Sequence, residues 1–325
     1  MHLLKIGPWL RLFRLPHLPT APGDALVGAA FMLPAGEATL TQAFAAAVGA
    51  LFMYMFGLAD NDVVGAYDDA EKAPERPIPR GEISMNVAAA VGIACLFASI
   101  WLPELVMRIV NDGGEMPMAW NIALTVLCGT VLAYNRIKKA WLLGACRALS
   151  VVCGGLAVWA PDRNPYTGRL LPESCCLLAS LVLLAVGWGA YMAAVAKLSD
   201  GEERPSEGLG NRRFLLGLSA FVPLAGFLPF ACVSGVAYES GLVFVLPVTG
   251  CCCTFVAWCL AVEPLWLPHG PDVRRRAVGR AIGALLYMQT GFMLIVARPA
   301  FLVAAAGLWC ASRLVGRWAP HVSGS

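Results

Sequence analysis

The sequence predicts an all-α protein: a polytopic membrane helix bundle of nine to ten transmembrane helices around a central cavity. Three observations lead there. Of the 325 residues, 58% are hydrophobic and 14% charged, and mean hydropathy is +0.68; a soluble domain carries about 25% charged residues. Apolar segments of roughly 20 residues, enough to cross a hydrocarbon core about 30 Å thick, recur along the chain with no polar domain between them. Basic residues are distributed very unevenly between alternate connections. Residues 1–325 therefore read as a single transmembrane domain.

The first apolar segment, 18–35, follows MHLLKIGPWLRLFRLPHLPTAPGDA, where scattered Arg and Pro replace the compact apolar core and small-residue cleavage site of a signal peptide. The second, 40–59, is the unbroken run LTQAFAAAVGALFMYMFGLA. Four more lie at 83–103, 117–134, 141–160 and 172–196, and the rest at 214–236, 241–262, 278–297 and 299–316. The last is short and starts at Arg298-Pro299, so it is either half-buried or the end of a long ninth helix. With alternate connections assigned to opposite faces, all but four of the 24 basic residues fall on one side; the four are Arg108, Arg163, Arg169 and Arg298. Short cytoplasmic loops retain Lys and Arg, which places both termini and the loops after the second and sixth segments in the cytoplasm. The expected location is a bacterial inner membrane, with the lipid bilayer as partner. A formal charge of +3 without a basic tail gives no sign of nucleic acid. The twelve cysteines lie in apolar runs without C-x2-C spacing, as small buried hydrophobes do.

Against this background DNDVVGAYDDAEKAPERPIPRG, from Asp60 to Gly81, stands out. If the second helix continues to the prolines, Asp62 and Asp69 differ by about 700° of rotation and share a face, with Asn61 and Asp68 on a neighbouring one. Carboxylates gathered beside hydrocarbon repel one another, and a divalent cation relieves that repulsion. Hard oxygen ligands suit Mg²⁺, which is usually held by one or two carboxylates plus substrate phosphates. Pro74, Pro77 and Pro79 then force an extended path that carries Lys72, Arg76 and Arg80 back over the acids. Arg presents a fork that fits phosphate oxygens. Acids for a metal beside a basic strap describe a site for a membrane-borne phosphate or diphosphate. A plain polar loop whose Asp and Arg only pair with one another is the competing reading. The loop after the sixth segment, KLSDGEERPSEGLGNRR, is the second polar stretch, and the two loops stand four spans apart. That spacing hints at a duplication placing both over one cavity.

Asn61-Asp62-Val-Val-Gly65-Ala-Tyr-Asp68-Asp69 followed by PERPIPRG resembles the first aspartate-rich motif, N-D-x-x-D-x-x-x-D, and the following P-x-R-P-I-P-x-G strip of the UbiA superfamily of intramembrane prenyltransferases. The helix count and the two acidic loops after the second and sixth helices are similar to that family's layout. The resemblance implies transfer of a polyprenyl group from a prenyl diphosphate to a small acceptor, aromatic or hydroxyl-bearing, with Mg²⁺ as cofactor. It implies Asp62 and Asp69 as catalytic residues and Asn61, Asp62, Asp68, Asp69, Asp200 and Glu203 as metal ligands. For the diphosphate it implies Arg76 and Lys197, together with Lys138 in YNRIKKAWLLGACRALS, a stretch similar to the loop after the family's fourth helix. Two positions depart from the pattern. Gly65 stands where the middle aspartate belongs, with Asp68 the nearest carboxylate, and the second motif reads Asp200-Gly-Glu202-Glu203-Arg204 where D-x-x-x-D is expected. LPHLPTAPGDALVG and the weakened second loop ending in NRRFLL resemble an EboC-like bacterial branch. The isoprenoid tail is expected among apolar helix faces near Trp188, Tyr191 or Tyr287. A carrier that keeps the lipid-diphosphate pocket without turnover is the alternative function.

Overall fold

A computed structural model describes residues 6–32, 38–111, 114–159, 172–200, 271–295 and 299–318. Every regular element among them is helical. A short helix α1 (Ile6–Leu12) and a 3-10 turn (Leu15–His17) lead into α2 (Thr20–Met32) and α3 (Ala38–Val64). The acidic stretch continues as α4 (Ala66–Lys72), followed by α5 (Met85–Val110), α6 (Met118–Ile137) and α7 (Ala140–Val158). α8 (Pro172–Asp200), α9 (Pro271–Ile295) and α10 (Pro299–Trp318) complete the described elements. These helices match eight of the expected apolar segments; those at 214–236 and 241–262 lie outside the described residues. Among the described residues five helices are long and apolar enough to cross a membrane, so the chain is an integral membrane protein. The segment after Arg298 is a helix of its own, opening on Pro299, where a first turn tolerates the missing N–H.

The path through the prolines follows from simple backbone chemistry. The tight turn after Arg80 needs a positive φ, and Gly81 takes φ 71° there. Ser84 then caps α5 by accepting the Val87 N–H at 3.3 Å. Pro103 is buried inside α5, which continues past it to Val110. On the opposite face of α5, Ile93, Phe97, Trp101, Leu105 and Ile109 recur every fourth residue and are exposed among the described residues. That stripe is the surface a bilayer covers.

Small residues set the helix spacing. A Cβ on Gly28 would lie 1.8 Å from the Val151 carbonyl oxygen, and one on Gly154 would lie 1.8 Å from that of Ala25. α2 and α7 therefore touch backbone to backbone, the close packing that membrane helices use in place of a hydrophobic drive. Gly144 and Gly189 do the same for α7 and α8. Around this seam a buried polar cluster joins four helices. Asp24 of α2 is fully buried; Arg147 Nε of α7 lies 2.7 Å from its Oδ2, while Trp188 Nε1 of α8 and Gln289 Nε2 of α9 donate to its Oδ1 at 2.8 and 2.7 Å. Arg147 Nη2 and Gln289 Nε2 also donate to the Thr20 carbonyl, at 3.0 and 2.7 Å. Away from water each of these groups needs a partner, so the cluster fixes which faces of α2, α7, α8 and α9 meet.

Candidate active site

Between α2, α3, α6, α7, α8 and α9 lies a cavity of about 560 Å³. One part is apolar, lined by Ala50, Met53, Leu127, Val131, Met192 and Leu285; the other carries Asn61, Asp68, Asp69, Lys72, Arg76 and Lys138. The polar part is made by the end of α3, the short α4 and the proline strip after it. α3 stops at Val64, Gly65 takes φ −85° and ψ −3°, and α4 starts one residue later. The Gly65 N–H still donates to the Asn61 carbonyl at 3.0 Å and the Asp69 N–H to the Gly65 carbonyl at 2.9 Å. The expected single helix is thus two, joined at Gly65, whose φ and ψ stay right-handed and whose backbone bonds on either side persist.

Across the break Asp62 and Asp69 aim at one point. Arg76 Nη1 lies 2.5 Å from Asp69 Oδ2 and 3.7 Å from Asp62 Oδ1. Arg14 Nη2 also lies 3.7 Å from Asp62 Oδ1, and Asn61 Nδ2 donates to the same oxygen at 3.1 Å. Lys138 Nζ donates to Asn61 Oδ1. Arg14 and Lys138 are the two non-glycine residues with positive φ among the described residues, at 45° and 55°. Strained backbone of this kind persists where the surroundings over-determine it and clusters at functional sites; here it brings two cations onto the end of α3. Burial lowers the Lys138 pKa, helped by the Arg14 and Arg76 charges and opposed by Asp69 and Asp62.

The donor set suits a hard cation in a restricted way. Two carboxylates converge where a guanidinium nitrogen now sits, a point that already favours positive charge, and the Asn61 amide oxygen beside them accepts from Lys138. Among the described residues no three carboxylate, imidazole or thiolate side chains gather as a metal site. Two carboxylates with substrate phosphate completing the shell is the arrangement Mg²⁺ commonly takes.

The other expected site residues fall in different places. Asp68 is exposed and lines the cavity one turn beyond the break. Asp60 turns away, accepting from Asn135 Nδ2 at 2.7 Å with Arg136 at 3.7 Å. Lys197 is exposed and is not a lining residue of this cavity. The Asp200 side chain and Glu203 lie outside the described residues. Trp188 and Tyr191 do not face the cavity. Both are fully buried, Trp188 against Asp24 and Tyr191 donating to the Ala281 carbonyl at 2.7 Å, because in hydrocarbon their N–H and O–H need internal acceptors. Tyr287 is half-buried against the core. Tyr54 is the aromatic side chain that does line the cavity with Tyr134.

Arg14, His17, Tyr54 and Arg147 were not legible as site residues. Arg147 belongs to the buried cluster and also reaches the cavity, with its guanidinium carbon 5.9 Å from the Tyr54 ring centre. A charged residue inside an apolar segment was the available signal.

No family model matches the chain. A digeranylgeranylglyceryl phosphate synthase of Methanoculleus marisnigri is 25% identical over 246 residues, 74% of this chain and 78% of that protein. A solved structure of a digeranylgeranylglyceryl phosphate synthase in membranes superposes with a TM-score of 0.50 at 16% identity, covering 93% of this chain and 99% of the other. The sequence relative and the shared helical fold support the resemblance to the UbiA superfamily. A UbiA homolog from Archaeoglobus fulgidus, solved with DMAPP and Mg²⁺, aligns over 94% of this chain and 98% of its own at 16% identity and a TM-score of 0.42. In this chain the end of α3, the proline strip and the turn after α6 meet over one cavity.

Proposed function

We propose that the protein is a membrane prenyltransferase, moving a prenyl group from an allylic prenyl diphosphate to a small acceptor with Mg²⁺ as cofactor. The observation that carries this reading is the convergence of Asp62 and Asp69 on one cationic position, at the polar end of a cavity whose other end is apolar. The sequence relative, a prenyl-transferring enzyme by its name, points the same way.

The residues divide the work by charge. Asp62, Asp69 and the Asn61 amide oxygen hold Mg²⁺, which when bound neutralises diphosphate charge as the C1–O bond weakens. Arg76, Lys138 and Arg14 bind phosphate oxygens and hold the leaving group in place. Arg76 changes partner in doing so, since its guanidinium now rests against the two aspartates. The apolar lining, Met53, Leu127, Val131 and Leu285 among it, takes the isoprenoid tail and keeps water from the allylic cation. Asp200 and Glu203, on the second acidic loop, are proposed to complete the metal shell, and the loops are proposed to face the cytoplasm of a bacterial inner membrane.

The deciding experiment is turnover of a radiolabelled allylic diphosphate by protein in lipid nanodiscs, with and without Mg²⁺. Mg²⁺-dependent loss of diphosphate supports the enzyme. Tight binding with no product identifies a carrier.

A further inference from the structure

Prenyl transfer leaves one group unassigned. Once the nucleophile has captured the allylic carbon, it must shed the proton on its attacking atom, and something in the cavity must take it. The residues placed on the metal and diphosphate are already engaged: Asp62 and Asp69 hold cations, Lys138 donates to Asn61 and to phosphate oxygens, and Arg14 and Arg76 carry no lone pair.

His17 lines the same cavity, on the turn that joins Arg14 to α2. Its backbone is fixed at both polar groups: the N–H donates to the Arg14 carbonyl at 2.8 Å, and the carbonyl accepts from Thr20 Oγ1 at 2.7 Å. Thr20 is in turn held through its own carbonyl by Arg147 and Gln289. The left-handed Arg14 sends its guanidinium to Asp62, while His17, three residues on, lines the cavity that Tyr54, Arg147 and Ser150 also line. Burial lowers the His17 pKa to about 4, helped by the Arg14 and Arg147 charges, so its ring is neutral near pH 7. The charged groups around it are Arg14 on its own turn, Arg147 of α7 with Asp24 behind it, and Asp68, Asp69, Lys72, Arg76 and Lys138 across the cavity.

Resting on the prenyltransferase reading, we propose that His17 is the proton acceptor of the transfer step, so that the acceptor is a molecule carrying a removable proton on its attacking atom. The C1–O bond breaks and its electron pair leaves with the diphosphate. A lone pair on an attacking oxygen, or a π pair on a ring carbon, forms the new bond to C1. The proton that nucleophile then sheds passes to a ring nitrogen of His17, and from the imidazolium to the departing diphosphate or to water. A protonated ether or ring is a far stronger acid than an imidazolium, so a weakly basic but uncharged histidine suffices. An imidazole that stays neutral between two guanidiniums is what the position supplies.

The test needs no knowledge of the natural acceptor: with none present, the slow leakage of water past the apolar lining supplies a nucleophile whose capture is measurable. Protein in nanodiscs with Mg²⁺ receives geranyl diphosphate labelled with ¹⁸O at the bridging oxygen. Ionisation and return scramble the label, whereas capture by water releases geranyl alcohols. In His17→Gln, binding and scrambling should persist while alcohol release falls about tenfold or more, the low end of general-base effects. His17→Gly should be similarly slow and regain activity with added imidazole. Unchanged alcohol release in both variants overturns the proposal. Loss of binding or scrambling in both, with folded protein by size exclusion, also overturns it, since His17 would then belong to the diphosphate site. Native protein that neither binds nor scrambles the substrate refutes the prenyltransferase reading itself, and the proposal falls with it.

Discussion

At the cavity mouth Arg76 reaches Asp69 at 2.5 Å and Asp62 at 3.7 Å while 35% of its side chain stays exposed. Farther inside the bundle Arg147 reaches Asp24 at 2.7 Å with its side chain 7% exposed and that of Asp24 at zero. The chemistry of the two pairs is the same, and the solvent around them is not. At the mouth the guanidinium keeps contact with water, so it can leave the carboxylates for another anion while staying solvated. A pair closed off from water cannot lose one member without stranding a charge. Position alone thus separates ions that do chemistry from ions that fix helix packing, and Arg147, which belongs to the buried pair yet touches the cavity, joins the two.

The largest effect should come from breaking the buried pair. Arg147→Leu should destabilise the protein by about 3–5 kcal/mol, because Asp24 is left with neutral partners only. The double variant Asp24→Leu with Arg147→Leu should recover much of the loss. Thermal melting in detergent, followed by size exclusion, reads both. A double variant no better than the single would show that the polar contacts to Trp188 and Gln289 matter more than the ion pair.

At the mouth the prediction reverses: stability should hold and activity should fail. Asp62→Ala and Asp69→Ala should each lower turnover at least about a hundredfold, of the order seen when a group stabilising developing charge is removed, with melting temperature within a few degrees of native. Activity surviving in both would remove the metal assignment. Destabilisation as severe as that of Arg147→Leu would erase the distinction between the clusters.

How much of the fold and the site is legible in the sequence depends on the range of the interaction concerned. The helices follow from apolar runs, and the acid-then-arginine order at 60–81 signals the cavity mouth because Asn61, Asp62, Asp69 and Arg76 are near neighbours in the chain. The buried cluster joins residues far apart, Thr20 to Arg147 and Asp24 to Gln289, and only packing brings them together. Asp24 in GDALVG and Arg147 in ACRALS are charges inside apolar segments, a signal that does not say which partner each one meets. By sequence alone Arg147 counts among the basic residues of the cytoplasmic side, and the structure puts it inside α7. Arg14 was hidden for a different reason: its approach to Asp62 depends on a left-handed turn that arginine rarely adopts.

Arg76 sharpens the comparison because one residue should affect two ligands in opposite directions. Its guanidinium competes with a cation for Asp62 and Asp69 and also binds the diphosphate. Arg76→Ala should weaken diphosphate binding in the presence of Mg²⁺ by about tenfold, near 1.4 kcal/mol, and strengthen binding of Mg²⁺ or Mn²⁺ alone. Equilibrium titration with each ligand separates the two effects. If both affinities fall together, Arg76 is holding the strip in place, and its exchange of partners is wrong.

The smallest expected effect is at Gly65, where the break between α3 and α4 lies. A Cβ there would sit 3.3 Å from Asp69 Oδ2 and 3.0 Å from the Asn61 carbonyl oxygen, so a side chain at 65 starts beside the carboxylate proposed as a ligand. Both contacts are tight, and Gly65 is already near the helical region of φ and ψ, which any residue can adopt. Gly65→Asp should therefore fold with a loss of at most about 1 kcal/mol while adding a third carboxylate to a site that has two. The Mg²⁺ concentration giving half-maximal turnover should fall by about threefold, with the maximal rate changed less. Combining it with Asp68→Ala separates the two carboxylates. If Asp68, exposed on the far side of the break, already serves the metal, Asp68→Ala alone should cost about tenfold and Gly65→Asp should restore it. If Asp68→Ala behaves as native and Gly65→Asp still lowers the Mg²⁺ requirement, the site runs on Asp62 and Asp69 alone, and the glycine break accounts for the missing ligand.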